Sequence, residues 1–323
     1  MTTYTDSTQA TDPTGAADSR LEFPAPPSSL TSLLSQPLSP QQKFVVPKAG
    51  WLRRLDAIPE AAEAIKALPT RINRDDAVDA VRQQWSTSIT AAFVSSMVWA
   101  YGPKAGYAPF RVLRVLTACK SPAGEGLNPR VAAALERSVE IALAEGAAEG
   151  FSYLNDCTHK VRSHEREHAD TLVGVDCGRI YGLGPSFFSK WLHVATLALH
   201  PEDRALPRKA ARRPTESIPE HPPAPLWDSQ AVSWLHDAAR DVDQQIFTQE
   251  KERGPGLEYA GGWSPTTPEG DLLRLRVSRT DHYARYIELL EEWGSPHRLG
   301  ASQVADRIYR LIRQDGDSTS KAA

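Results

Sequence analysis

Apolar residues recur along this chain at spacings of three and four, the mark of helices with one packed face. From Arg74 onward, Val78, Val81, Trp85, Ile89, Ala92, Phe93 and Met97 hold that period, which predicts one long helix ended by Gly102-Pro103. Pro59 opens a shorter helix to Leu68, and Pro109 to Cys119 reads as a helix carrying Phe110, Val112, Leu113, Val115 and Leu116. Pro129 to Ala147 repeats the pattern in alanine-rich form, with Glu136, Glu140, Glu145 and Glu149 along a solvated acidic face. Near the end, Tyr283, Tyr286, Ile287, Leu290 and Trp293 share one helix face, and a last helix runs from about Ser302 to Ile312. No segment of weight alternates with period two, so the fold is expected to be mainly α.

The same pattern sets the boundaries. Residues 1–43 are dominated by Thr, Ser, Pro, Gln and Asp without a sustained apolar period and read as a disordered arm. Residues 44–313 form the helical domain, and 314–323 read as a disordered tail. Within the domain the chain is organised around residues 179–200. There Gly182-Leu183-Gly184-Pro185 enters a helix through a turn, and a proline suits the first helical position because its missing N–H would be unpaired anyway. On a helical wheel Phe187, Phe188, Trp191, Leu192, Ala195 and Leu199 fall on one side, expected to pack. Ser186, Ser189, Lys190 and His193 fall on the other, expected to meet a ligand. Glycines ahead of a helix let a polyanion approach the free N–H groups of the first turn. Gly182, Gly184 and Ser186 are therefore candidates for gripping a phosphate backbone, although a Gly-x-Gly turn before a core helix has the same spelling.

Composition narrows the classes. A chain of 323 residues can bury a full core. Its three widely spaced cysteines, Cys119, Cys157 and Cys177, support neither a disulfide framework nor a four-cysteine metal site. The N-terminus lacks the basic and apolar regions of a signal peptide, and no apolar run has the length of a membrane span. The expectation is a cytoplasmic, monomeric protein with no membrane partner and no cofactor. Net charge is −3, which by itself argues against a nucleic-acid partner. The distribution changes that: residues 51–120 and 160–213 each hold ten basic against six acidic side chains. The second basic segment ends in a proline-rich loop, 200–225, whose Arg208, Lys209, Arg212 and Arg213 follow the Gly-turn helix and are candidates for phosphate contact.

Two further motifs carry chemistry. His164-Glu165-Arg166-Glu167-His168 matches H-E-x-x-H, which in zinc hydrolases sets two histidines on one helix face. Here the intervening residues are both charged and little nearby is apolar, so a solvated helix without metal is the favoured reading. Asp228 precedes Ala231, Val232, Trp234, Leu235 and Ala238 at a helix N-cap position.

The run GLGPSFFSKWLHVA resembles the hairpin and catalytic helix of the 8-oxoguanine DNA glycosylase-like branch of the helix-hairpin-helix glycosylases. Trp99-Ala100-Tyr101-Gly102-Pro103 with Gly106-Tyr107-Ala108-Pro109-Phe110-Arg111 is similar to an aromatic, Gly/Pro-rich turn between helices of that family. Ala224-Pro225-Leu226-Trp227-Asp228 resembles the helix start that carries its essential aspartate. The resemblance, over about residues 46–313, implies a helical fold with a cleft between two helical subdomains, DNA as partner and excision of a damaged or modified base. It implies Lys190 as the amine attacking C1′, Asp228 as the carboxylate beside the developing cation, and Trp99, Tyr101 and Trp227 around an extruded base. Aromatics at a helix C-terminus also close cores, and that use of Trp99 and Tyr101 stays open. Two residues after the second hairpin glycine, where well-known members carry lysine, this chain has Ser186; Lys190 lies one turn further on. That departure keeps a non-catalytic DNA-binding or defence-associated protein of the same fold as the alternative, with a zinc hydrolase behind it.

Overall fold

The computed structural model describes residues 23–122, 124–156, 178–200, 221–253 and 266–321. They form thirteen α-helices, one 3-10 turn at Ser295–His297 and a single pair of two-residue strands. β1 (Phe44–Val45) and β2 (Arg71–Ile72) pair antiparallel, Phe44 opposite Ile72.

Order begins earlier than the composition suggests. Helix α1 (Ser28–Leu34) buries Leu30 and Leu34 and packs on the last helix, α13 (Ala301–Lys321). Arg307 of α13 donates to the carbonyls of Leu33 and Gln36 at 2.9 Å each, tying down the chain at and just beyond the end of α1. Trp293 donates to the carbonyl of Pro24 at 2.8 Å. The arm assigned to residues 1–43 is thus ordered from Phe23, because two leucines and a few carbonyls find partners on a distant helix. At the other end α13 runs to Lys321 rather than stopping near residue 313.

After α2 (Lys48–Leu55) and α3 (Pro59–Ala67), the segment expected to be one long helix is two. α4 (Arg74–Gln84) starts in a capping box, Asn73 and Asp76 each accepting the other's backbone N–H. It ends at Trp85, and α5 (Ile89–Tyr101) begins anew with Ser88 as N-cap, its hydroxyl accepting from Ala91 at 3.1 Å. The apolar period survives because both helices bury that face, α4 lying against α5. Every residue of α5 from Thr90 to Trp99 is buried, as befits a helix apolar all round.

α6 (Ala108–Thr117), α7 (Pro129–Ala144) and α8 (Ala147–Asn155) follow. α7 and α8 cross closely at Gly150, where a Cβ would lie 2.6 Å from both the Ala142 Cβ and the Ser138 carbonyl. α9 (Pro185–Leu199) runs through the middle, packed by α4, α5, α7 and α8. Its Trp191 stacks on Trp85 at 5.8 Å, meets Phe93 edge-on at 5.7 Å and donates to the Leu135 carbonyl at 3.1 Å. Arg82 of α4 caps the far end of α9 through the Ala198 carbonyl at 2.9 Å. α10 (Ser229–Arg253), α11 (Pro268–Leu273) and α12 (Thr280–Gly294) complete the fold with α13. The His164–His168 motif, Cys157, Cys177 and the basic loop residues Arg208, Lys209, Arg212 and Arg213 lie outside the described residues.

Candidate functional site

The Gly-turn is held from below by α6. Gly182 adopts φ +83°, the left-handed region that glycine enters without strain, and a Cβ there would meet Val115 and Arg114 at 3.7 and 3.9 Å. Arg114 donates to the Tyr181 hydroxyl at 2.5 Å, its guanidinium 4.9 Å from that ring's centre. Gly184 is the extended N-cap of α9, and a Cβ on it would meet nothing within 4 Å. The first turn of α9 therefore opens on space, with Ser186 half-buried beside it. Around this opening lie Arg111, 4.5 Å over the Phe187 ring, and Tyr107, 59% exposed and 5.0 Å from Phe110.

The polar stripe of α9 does not face solvent as the wheel suggested. Ser189, His193 and Thr196 are fully buried because the segment 224–228 lies along them and supplies backbone partners. The Ser189 hydroxyl donates to the Trp227 carbonyl. The Nδ1 of His193 lies 2.8 Å from the Ala224 carbonyl. Thr196 accepts from the Ala224 N–H at 2.9 Å while donating to the Leu192 carbonyl at 2.6 Å. From α12, Tyr283 adds a bond to the Pro225 carbonyl at 3.0 Å. Polar side chains at i, i+4 and i+7 of one helix thus form a ladder that a loop strand completes.

The ladder delivers Asp228. Its Oδ1 accepts from the N–H groups of Gln230 and Ala231 at 2.9 and 3.2 Å, the N-cap geometry expected at the start of α10. Its Oδ2 lies 3.1 Å from Lys190 Nζ. Asp228 is almost wholly buried, its side chain 5% exposed, whereas Lys190 keeps 22% exposure. The two residues singled out in the sequence form one ion pair whose ammonium end reaches toward the surface.

Of the three aromatics assigned to a base pocket, two are buried. Trp99 is buried and stacked on His193, ring centres 6.2 Å apart. Trp227 is fully buried, 4.6 Å from Tyr286, with its indole donating to the Val277 carbonyl at 3.1 Å. Both are core residues, since a side chain within a wall of carbonyls and rings packs best by turning inward. Of the three, Tyr101 alone stays partly exposed, 5.1 Å from Phe187, and burial pushes its hydroxyl up to about 12 against the opposing pull of Arg111. His193 is neutral at physiological pH: burial, aided by the Arg74 charge, lowers it to about 4.

Sequence reasoning did not single out Tyr309. Its hydroxyl and that of Tyr286 are buried, and each carries a pKa raised well above the ordinary tyrosine value by burial; the charge of Asp228 acts on both in the same direction. The available signal was the period itself, since a tyrosine on the inner stripe of a helix needs a polar partner. Among the described residues no three His, Cys, Asp or Glu side chains gather into a metal site, and no helix is long and apolar enough to cross a membrane.

The protein is mainly helical, as expected, with α9 running through its middle and the Lys190–Asp228 pair beside it. Residues 38–207 match the model of the family described as "Putative 8-oxoguanine DNA glycosylase OGG-like protein". The match spans just over half of the chain and includes the Gly-turn and Lys190, and the protein belongs to this OGG-like family. Asp228 lies beyond the matched span. No curated protein and no solved structure matches the chain.

Proposed function

We propose that the protein is a DNA glycosylase that excises a damaged or modified base of the 8-oxoguanine kind, with Lys190 and Asp228 as its catalytic pair. The observation that carries this reading is the 3.1 Å pair itself. Cleaving an N-glycosidic bond gives the sugar oxocarbenium character, and a fixed carboxylate in a low-dielectric setting stabilises that charge strongly. Two backbone N–H groups and the ladder on α9 fix Asp228 before substrate arrives. Lys190, the more exposed partner, passes an ammonium proton to the departing base and its nitrogen attacks C1′ as the electron pair of the C1′–N bond leaves with that base; the adduct nitrogen then gives a proton to O4′ as the C1′–O4′ bond opens, leaving a Schiff base to the sugar. Strand-cleaving lyase activity is the consequence of that intermediate.

DNA contact is assigned to the open first turn of α9 with Gly182, Gly184 and Ser186, and to Arg208, Lys209, Arg212 and Arg213. A helix N-terminus without a capping side chain suits a backbone phosphate. The exposed ring of Tyr107, close to Arg111, suits a stacking contact beside it. One observation favours the second reading, DNA binding without excision: Trp99 and Trp227, expected to hold the base, are buried in the core.

Single-turnover base release from duplexes carrying a panel of oxidised, alkylated and deaminated bases separates the two. Release by the wild-type chain from at least one lesion, lost at least about a hundredfold in Asp228→Asn, is the expected result. Binding to every duplex with release from none would establish the second reading.

A further inference from the structure

The sequence holds 40 acidic residues, yet none lies between Asp79 and Glu125 or between Asp176 and Glu202. These two acid-free stretches meet in the fold. The first carries α6 and the second the Gly-turn with α9; Arg114 of α6 donates to the Tyr181 hydroxyl at 2.5 Å, and a Cβ on Gly182 would touch Val115 and Arg114. Lys104, Arg111, Lys120 and Arg179 of the two stretches are exposed. Cations gathered without counter-charges repel one another, and a polyanion relieves that repulsion. The two arginines of α6 are held by rings instead of carboxylates. Arg111 lies 4.5 Å over the Phe187 ring, itself 5.1 Å from Tyr101. The Arg114 guanidinium lies 4.9 Å from the centre of the Tyr181 ring and 5.9 Å from that of Phe110, whose ring is 5.0 Å from the exposed Tyr107. Among the described residues neither arginine has a carboxylate within ion-pairing distance, unlike Arg137, which pairs with Glu140 at 3.2 Å.

A guanidinium laid over an aromatic face gives that face to the ring and keeps its planar fork of N–H donors at the edge, the geometry that matches a phosphate. Arg114 is half-buried and has one donor committed to Tyr181. Arg111 is exposed, and Phe187 beneath it belongs to the first turn of α9, so its fork stands at the edge of the opening beside the Gly-turn. We propose that Arg111 is a DNA-phosphate ligand, gripping the sugar–phosphate backbone from α6, while Arg114 positions the Gly-turn through Tyr181. The DNA surface therefore extends from the hairpin onto the start of α6. What Arg111 recognises is a phosphodiester, and such a contact carries no sequence information, so lesion and plain duplex are gripped alike. The assignment rests on the reading that DNA is the partner; it concerns binding alone and holds with or without base release.

Fluorescence anisotropy on a labelled undamaged duplex, titrated at several salt concentrations, tests it without any activity. Arg111→Gln should weaken binding about tenfold, the scale of a lost charge-assisted hydrogen bond, and should flatten the plot of log affinity against log salt by about one unit, the loss of a single phosphate contact. Arg137→Gln removes an exposed arginine that already has a carboxylate partner, and should leave affinity and slope at the wild-type values. A second measurement separates direct contact from a change in packing. In a duplex held in register by a tetrahydrofuran abasic analogue, phosphates are replaced one at a time by uncharged methylphosphonate. At one position the wild-type chain should lose affinity while Arg111→Gln loses none further, the non-additivity expected of two groups that touch. Wild-type affinity and slope in Arg111→Gln, or equal losses for both chains at every methylphosphonate position, would overturn the proposal and leave the DNA reading standing. A wild-type chain that binds no duplex would overturn the DNA reading and the proposal with it.

Discussion

Thr196→Val isolates one rung of the ladder that sets Asp228. Valine keeps the shape of threonine and removes only the hydroxyl. In the native fold that oxygen accepts from the Ala224 N–H at 2.9 Å and donates to the Leu192 carbonyl at 2.6 Å. Removing the second bond matters little, because Leu192 lies inside α9 and its carbonyl still takes a helical N–H. Removing the first leaves a buried donor unpaired, Thr196 and Ala224 both being fully buried. Stranding one buried N–H costs about 1–3 kcal/mol. For a domain of this size each kcal/mol moves Tm by about 2–4 °C, so the variant should melt about 2–12 °C lower. Denaturant unfolding should show the midpoint falling with an unchanged m-value, since the surface exposed on unfolding is the same. Base release should fall as well, because Ala224 anchors the segment that ends in Asp228. A midpoint equal to wild type would mean that the α9 ladder does not hold this segment, and that Asp228 owes its position to something else.

Three other outcomes are expected. His193 has a folded pKa of about 4, below the ordinary 6.5, through burial and the Arg74 charge; the unfolded chain therefore takes up the proton first as pH falls, and stability present above pH 6.5 should decline by about 3 kcal/mol toward pH 4, a slope that His193→Asn should remove. Gly182→Ala places a Cβ at φ +83°, which costs about 1–2 kcal/mol, and should weaken binding to undamaged duplex; equal stability and affinity would refute the turn's role. Replacing Arg208, Lys209, Arg212 and Arg213 together by Ala should weaken binding equally for lesion and plain DNA and flatten its salt dependence by about one unit of slope for each phosphate given up; an unchanged slope would remove the loop from the interface.

Much of the fold was legible because it rests on periodicity. Pro59, Pro129 and Pro185 each open a helix at the position read for them. Asp228 caps α10 as its place before an apolar run suggested. What escaped were features decided by partners far away in the chain. The period through Trp85 cannot tell one long helix from two stacked on a common face, and Ser88 settles the matter only once its N-cap bond is seen. Leu30, Leu33 and Leu34 hold the helical spacing for a single turn only, too short to mark a helix alone, and α1 forms there because α13 packs against it. The wheel placed Ser189 and His193 on an outer face because both are polar; the loop strand ending at Asp228 makes that face an interior one. Trp99 and Trp227 pointed to a pocket by residue type, while packing around His193 and Tyr286 turns them inward.

Borohydride reduction during turnover on a lesion-bearing duplex tests most directly whether Lys190 is the amine that attacks the sugar beside Asp228, because it converts a Schiff base into a permanent protein–DNA adduct. The wild-type chain should give that adduct, Lys190→Ala should give none while still binding the duplex, and Asp228→Asn should give far less. An adduct that persists in Lys190→Ala would contradict the assignment.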